Sequence, residues 1–87
     1  MEDNYPNPFS QATQIRFNVQ SEDGSAMRVK LSVFNVDGQE VAVLEDASFT
    51  PGSYQVQWNA DAFPSGVYYY KLSNGSSEEI KKMTLLR

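Results

Sequence analysis

The stretch Phe63–Leu72 constrains the fold of this chain more than any other. Its residues Pro64–Gly66 favour a reversal of the chain, and a run with strong strand preference follows directly. Side chains alternate between the two faces of a strand, and Lys71 is expected to face water together with Val67 and Tyr69. The core side then holds Gly66, Tyr68, Tyr70 and Leu72. The sequence therefore predicts a two-faced strand that starts at a tight corner.

Tyr68 follows this corner at a distinctive position. It is the second residue after Gly66, at the opening of a late strand. Immunoglobulin-like sandwiches place a tyrosine there, with its hydroxyl bonded back to the preceding connection. We therefore expect the hydroxyl of Tyr68 to form a hydrogen bond within the protein that holds the corner in place.

Five further segments alternate apolar and polar residues with the period of a strand. They are Thr13–Gln20, Met27–Val36, Gln39–Glu45, Ser53–Asn59 and Ser77–Arg87. Turn signals separate them at the spacing of about 8–12 residues that is typical of sandwiches, and no segment has a helical period. The sequence predicts an all-β fold, an immunoglobulin-like antiparallel β-sandwich of about six to seven strands. Residues 1–87 are expected to form a single domain, in which the last segment pairs with the strand that follows the corner.

The segment Tyr5–Phe9 precedes the first strand and contains two prolines. We expect an extended edge or lid that places Tyr5 and Phe9 on the core. The alternative is that this segment serves as a peptide epitope. Residues 1–4 are expected to be a linker or an added start of the chain.

Composition narrows the possible functions. Eleven acidic and seven basic residues give a net charge of -4, which argues against nucleic acid as a partner. The chain lacks both histidine and cysteine and therefore the commonest general base, the thiol nucleophile and the usual zinc ligands. We expect neither an enzyme nor a bound cofactor or metal. No apolar run has the roughly 20 residues of a transmembrane helix, so no transmembrane segment is expected.

Two residue groups allow a second interpretation. Trp58 and Tyr69 could form a stacking surface for sugars, but the alternation of their strands favours packing of Trp58 in the core and leaves Tyr69 as the exposed ring. Asp37, in the turn Asn35–Gly38, is expected to be a turn residue, because one carboxylate and a neighbouring amide supply too few oxygens for calcium.

Several motifs together resemble the C-terminal sorting domain of the type IX secretion system, in its type A form. This domain is itself similar to the immunoglobulin-like domain of flagellar hook-capping proteins. The matching segments are Tyr5–Phe9 with Thr13–Phe17, Val33–Val41, Pro51–Tyr54, Pro64–Tyr68 and Lys82–Leu86. Their order and spacing follow the family over nearly the whole chain. The chain departs from it at Asn35, where an aspartate is usual, and at Gln39, where a basic residue is usual. It also has Ser10-Gln11 after Phe9, where a second Asn-Pro is common.

The resemblance implies a non-catalytic address for secretion. Such domains end proteins of the Bacteroidetes and related bacteria and direct them from the periplasm across the outer membrane, to the cell surface or beyond it. The implied partners are outer-membrane secretion proteins and an upstream domain of the same polypeptide. The alternatives are a carbohydrate-binding module or a structural immunoglobulin-like module of a secreted multidomain enzyme.

The candidate recognition residues lie at the corner and at the end of the chain. They are Gly66, Tyr68, Lys81, Lys82, Met83, Leu85 and Arg87. The last strand is expected to lie at or beside an open sheet edge, where unpaired backbone groups favour the addition of a partner strand. The alternative role of its basic residues is to keep that edge soluble.

Overall fold

The structure is a computed structural model that describes residues 1–75 and 77–87. The described residues form six strands and no helix. The strands are β1 (Ala12–Val19), β2 (Met27–Phe34), β3 (Glu40–Phe49), β4 (Gly52–Asn59), β5 (Gly66–Ser73) and β6 (Glu78–Leu85). All six segments that the sequence predicted as strands are confirmed. No helix among the described residues has the length and hydropathy needed to cross a membrane.

The strands form two antiparallel sheets, as expected for an immunoglobulin-like sandwich. One sheet contains β1 and β4, and the other has the order β3-β2-β5-β6. Strand β6 pairs with β5 over its whole length, from Gly66 opposite Leu85 to Ser73 opposite Glu78, which confirms the predicted hairpin. The turn predicted at residues 73–76 includes Ser76, which lies outside the described residues.

The core lies between the two sheets and follows from the alternation of their strands. In β1 every second residue is buried, and Ile15 and Phe17 are almost completely inaccessible. The other sheet contributes Leu31, Val33 and Tyr70, each with no exposed surface. Burying one such side chain is worth about 1.5–3 kcal/mol relative to leaving it exposed. Burial of these apolar side chains is therefore the main source of stability in a chain that has no disulfides.

The hairpin of β2 and β3 turns where the sequence predicted. The amide of Gly38 donates to the carbonyl of Asn35 at 3.0 Å, and Gly38 has a φ of 83°, in the left-handed region that favours glycine. Strict alternation fails in the second arm, however, because the pairing of β2 with β3 shifts at two places. Regular alternation would place Val41 and Val43 on one face and Ala42 and Leu44 on the other, but Val43 is exposed and the other three pack against the core.

The leader, residues 1–9, closes the side of the sandwich where β1 and β6 lie. Phe9 is 3% exposed and confirms the expected packing, but Tyr5 is 80% exposed and the expectation that it packs on the core is wrong. The backbone of Tyr5 pairs instead with Gln14 of β1, and this directs its ring away from the core. The peptide bonds before Pro6 and Pro8 are cis.

Tyr70 fixes the beginning of the leader. Its hydroxyl accepts the amide of Asn4 at 2.8 Å and donates to the carbonyl of Glu2 at 3.2 Å. Asn4 is buried, and the amide of Glu2 also donates to the carbonyl of Arg16 in β1. Residues 2–4 are therefore packed against both sheets. That residues 1–87 form a single domain stays a prediction.

Tyr70 should make the domain sensitive to alkaline pH. Burial raises the pKa of its hydroxyl, although the hydrogen bond from Asn4 acts in the opposite direction. Because the folded state then holds this proton more tightly than the unfolded state, the stabilisation is fully present below the ordinary tyrosine pKa of about 10 and is lost as the pH rises through the higher folded value. We expect the free energy of unfolding, measured in urea from about pH 8 to pH 11, to fall more steeply for the wild type than for Tyr70→Phe. Equal slopes would contradict this assignment.

Candidate functional site

The corner before β5 is built as the sequence predicted. The hydroxyl of Tyr68 donates to the carbonyl of Pro64 at 2.7 Å, four residues earlier. Its ring lies in an aromatic cluster, with centroids 5.4 Å from Trp58 and 6.3 Å from Phe63. Gly66 has a φ of 156°, which side-chain-bearing residues rarely adopt, and a Cβ there would meet open space. The need for glycine at this corner is therefore conformational.

The hydroxyl of Tyr68 should have a measurable effect on stability. Tyr68→Phe removes one satisfied hydrogen bond and keeps the ring, so the free energy of unfolding should fall by about 1 kcal/mol. Tyr69→Phe is the matched control, because the Tyr69 hydroxyl has no hydrogen-bond partner among the described residues. Urea unfolding of both variants measures the difference. Identical midpoints for Tyr68→Phe and the control would rule out a role for the hydroxyl at the corner.

Two of the candidate recognition residues in β6 belong to the core. Met83 and Leu85 have no exposed surface, and they lie opposite Tyr68 and Gly66 in the sheet. A partner cannot contact their side chains while the domain is folded. The same holds for the ring of Tyr68, which is 5% exposed.

The three basic candidates differ in how firmly they are held. Lys81 forms an ion pair with Asp3 of the leader at 3.1 Å. The guanidinium of Arg87 donates to the carbonyls of Ala60 and Asp61, so it ties the end of the chain to the connection between β4 and β5. Lys82 is exposed and has no ion pair or hydrogen bond to its ammonium group within residues 1–75 and 77–87. Among the candidates, Lys82 presents the unpaired charge.

The leader covers one half of the outer edge of β6. The carbonyl of Thr84 accepts the amide of Phe9 at 3.0 Å, and the amide of Leu86 donates to the carbonyl of Phe9 at 2.8 Å. The amide of Thr84 donates to the side chain of Asn7 at 3.0 Å. The sequence predicted that Tyr5–Phe9 forms an edge or lid, but it did not show which strand this segment covers.

The other half of this edge is open. Backbone groups of an edge strand point alternately toward and away from the neighbouring strand, and those of Thr84 point away from β5. The groups of Lys82 and Ile80, two and four residues earlier, therefore point outward as well. Neither has a backbone partner on that side among the residues that the structure describes. We call the stretch from Ile80 to Lys82 the open edge.

A shallow groove lies beside the open edge on the outer face of the larger sheet. It has a volume of about 260 Å³. It is lined by Phe34, Asn35, Val36, Gly38, Tyr69, Lys71 and Ile80. Val36 is 68% exposed and Ile80 is 61% exposed, and the ammonium of Lys71 lies 5.1 Å from the centre of the Phe34 ring. We call this feature the outer groove. The alternation of single strands did not reveal it, because three strands and a turn contribute to it.

The stacking surface considered for sugars does not form. Trp58 is 3% exposed and lies in the core cluster, whereas Tyr69 is 37% exposed on the outer face of the other sheet. The expectation that Trp58 packs and Tyr69 is exposed is confirmed. Within the described part of the chain, no three acidic residues come close enough to hold a metal ion.

Fold and surface together define an immunoglobulin-like accessory domain whose exposed features are a sheet face and a strand edge. A family model described as the secretion system C-terminal sorting domain matches residues 3–85. The chain belongs to this family, and it is a sorting domain for type IX secretion. Comparison with curated proteins and with solved structures gave no match. Domains of this family are sorting signals rather than catalysts, and they mark proteins that pass through the periplasm to the cell surface or the extracellular space.

Two of the departures from the family pattern, Asn35 and Gln39, lie next to each other in the structure. The side-chain amide of Asn35 donates to the side-chain carbonyl of Gln39 at 3.0 Å. The side-chain oxygen of Asn35, Oδ1, also accepts the backbone amides of Asp37 and Gln39. An amide pair therefore stands where the usual aspartate and basic residue would place opposite charges, and it still closes the turn between β2 and β3.

Proposed function

We propose that the secretion machinery recognises this domain as a folded unit, on the surface that contains the open edge, and that the domain itself is not catalytic. The observation that carries this proposal is that one face of β6 is buried in the core while the other face is exposed. Met83 and Leu85 are buried, whereas Lys82 and the backbone beside it are exposed. A receptor that read the end of the chain as an unfolded peptide would have to remove β6 from the sheet. The cargo is the upstream part of the same polypeptide.

The aromatic core supports this mode of recognition. Tyr68 and Tyr70 in β5 lie opposite Met83 and Lys81 in β6, so extracting β6 would expose two buried aromatic rings as well as its own core residues. Each large side chain exposed to water costs about 1.5–3 kcal/mol. Binding at the edge avoids this cost. Gly66 and Tyr68 then contribute by holding β5, and therefore β6, in place.

Charge reversal at Lys82 tests the proposal. We expect Lys82→Glu, in a fusion of the domain to a periplasmic reporter, to lower the exported fraction roughly three- to tenfold in a type IX-competent host, since reversing an exposed charge changes binding by about 1 kcal/mol. Arg16→Glu is the matched control, because Arg16 is also exposed in the middle of a strand but lies on the other sheet.

Melting curves of both purified variants show whether the sandwich is intact. Normal export of a folded Lys82→Glu fusion would contradict the proposal and leave Lys82 as a residue that keeps the edge soluble. Arg87 is unsuitable for such a test because its guanidinium binds backbone carbonyls within the domain.

A further inference from the structure

We propose that the open edge and the outer groove bind an extended segment of a partner protein in which an acidic and an apolar residue are two positions apart. The inference rests on the proposed function and specifies the chemistry of the partner at the same surface. It depends on the juxtaposition of three features: unpaired backbone groups, an exposed cation and an apolar groove. Ile80 and Lys82 supply the backbone groups, Lys82 also supplies the cation, and Ile80 also lines the groove.

The backbone sets the conformation of the partner. Outward-facing amide and carbonyl groups at Ile80 and Lys82 have no partner among the described residues, so they match the ladder of one further strand. The leader stops this ladder at Thr84, whose amide and carbonyl are already used. The added segment is therefore short and lies beside the first half of β6.

The side chains set its sequence pattern. Ile80 and Lys82 point to the same outer face, because they are two positions apart on one strand. A residue opposite Ile80 packs against the Ile80 side chain, which is 61% exposed at the rim of the outer groove, and an apolar side chain there removes apolar surface from water. The residue opposite Lys82 lies next to an ammonium group that has no counter-ion within residues 1–75 and 77–87. A carboxylate two positions from the apolar residue would form an ion pair with the ammonium group of Lys82.

Charge also favours this occupant over a second copy of the chain. The domain carries a net charge of -4, so two copies repel each other overall. Four other cations of this sheet are already engaged in ion pairs: Arg28 with Asp46, Lys30 with Glu40, Lys71 with Glu78, and Lys81 with Asp3. Among the residues that the structure describes in this sheet, Lys82 is the cation left for an external carboxylate.

The test uses the 87-residue chain and three capped synthetic peptides. The first has the sequence Thr-Thr-Glu-Thr-Ile-Thr-Thr, the second has lysine in place of the glutamate, and the third repeats the first with alternate backbone amides methylated. Binding is followed by the backbone amide signals in nuclear magnetic resonance spectra. We expect the first peptide to shift the signals of Ile80, Lys82 and Tyr69 and to bind about three- to tenfold more tightly than the second. Methylation should abolish binding, because it removes the ladder.

Variants separate the contributions. Lys82→Glu should reverse the preference between the first two peptides, whereas Arg16→Glu should leave it unchanged. Shifts that map to the sheet of β1 and β4, equal binding of the methylated peptide, no saturable binding at peptide concentrations on the order of millimolar, or a dimer that excludes the peptide would each overturn the inference.

The outcome is distinguishable from that of the export test. If export depends on Lys82 but the peptides do not bind, the extended acidic and apolar partner is wrong while the role of the edge in sorting stands. If the peptides bind as expected but the Lys82→Glu fusion is exported normally, the peptide-binding surface stands and its role in sorting is wrong.

Discussion

Replacing Trp58 with alanine should lower the free energy of unfolding by about 3–5 kcal/mol, which is the range for removing a large aromatic side chain from a core. Trp58 is 3% exposed, and its ring lies 5.8 Å from Phe9, 5.3 Å from Phe63 and 5.4 Å from Tyr68. It therefore joins the leader, the connection before β5 and the Tyr68 corner. Small domains have a total stability of only about 5–15 kcal/mol, so this single change brings the domain close to unfolding at room temperature.

Urea unfolding followed by circular dichroism measures the effect of Trp58→Ala. The matched control is Tyr69→Ala, which removes a ring that is 37% exposed on the outer face of the sheet and should cost far less. A loss for Trp58→Ala no larger than that for the control would contradict the placement of Trp58 at the centre of the core.

Phe9→Ala should have the second large effect, again about 3–5 kcal/mol. Its ring is buried against Trp58, and its backbone covers the end of β6. A smaller side chain leaves a cavity beneath the leader and weakens the anchor that holds this part of the backbone in place. We therefore expect faster hydrogen exchange at the amides of Thr84 and Leu86, which donate to Asn7 and Phe9.

Tyr5→Ala is the control within the same segment. Tyr5 is 80% exposed, so its ring can be removed with little change in either stability or exchange. If Phe9→Ala destabilised the domain without speeding exchange at Thr84 and Leu86, the leader would not be the element that covers this half of the edge.

The features predicted successfully from the sequence are those that local patterns determine. Alternation gave the faces of β1 and β4 because each has one face on the core and one in water. The Tyr68 corner was predictable because a turn glycine and the second residue after it are close in sequence. The hairpin at Gly38 was predictable for the same reason.

The features that were missed depend on contacts between distant residues. The burial pattern of β3 depends on where its pairing with β2 shifts, and the sequence of β3 does not indicate the positions of those shifts. The leader meets β6, more than seventy residues later in the chain, so nothing local reveals that Phe9 covers Thr84 and Leu86. The outward direction of Tyr5 follows from its pairing with Gln14.

The roles of the candidate recognition residues also depend on contacts between distant parts of the chain. The sequence places Lys81, Lys82 and Arg87 near one another, but the ion pair with Asp3 and the bonds to Ala60 and Asp61 set Lys81 and Arg87 apart from Lys82. Alternation places Met83 and Leu85 on one face of β6, but only the tertiary structure shows that this face packs in the core. Which charge is free to meet a partner depends on the tertiary structure.

Export of a periplasmic reporter that carries this domain at its C-terminus tests the central claim most directly. The fraction of the reporter outside the cell is compared between a type IX-competent host and the same host with the secretion system deleted. We expect most of the reporter outside the competent cells and in the periplasm of the deletion strain. Retention of the folded fusion in the periplasm of competent cells, or equal release from both strains, would contradict the account.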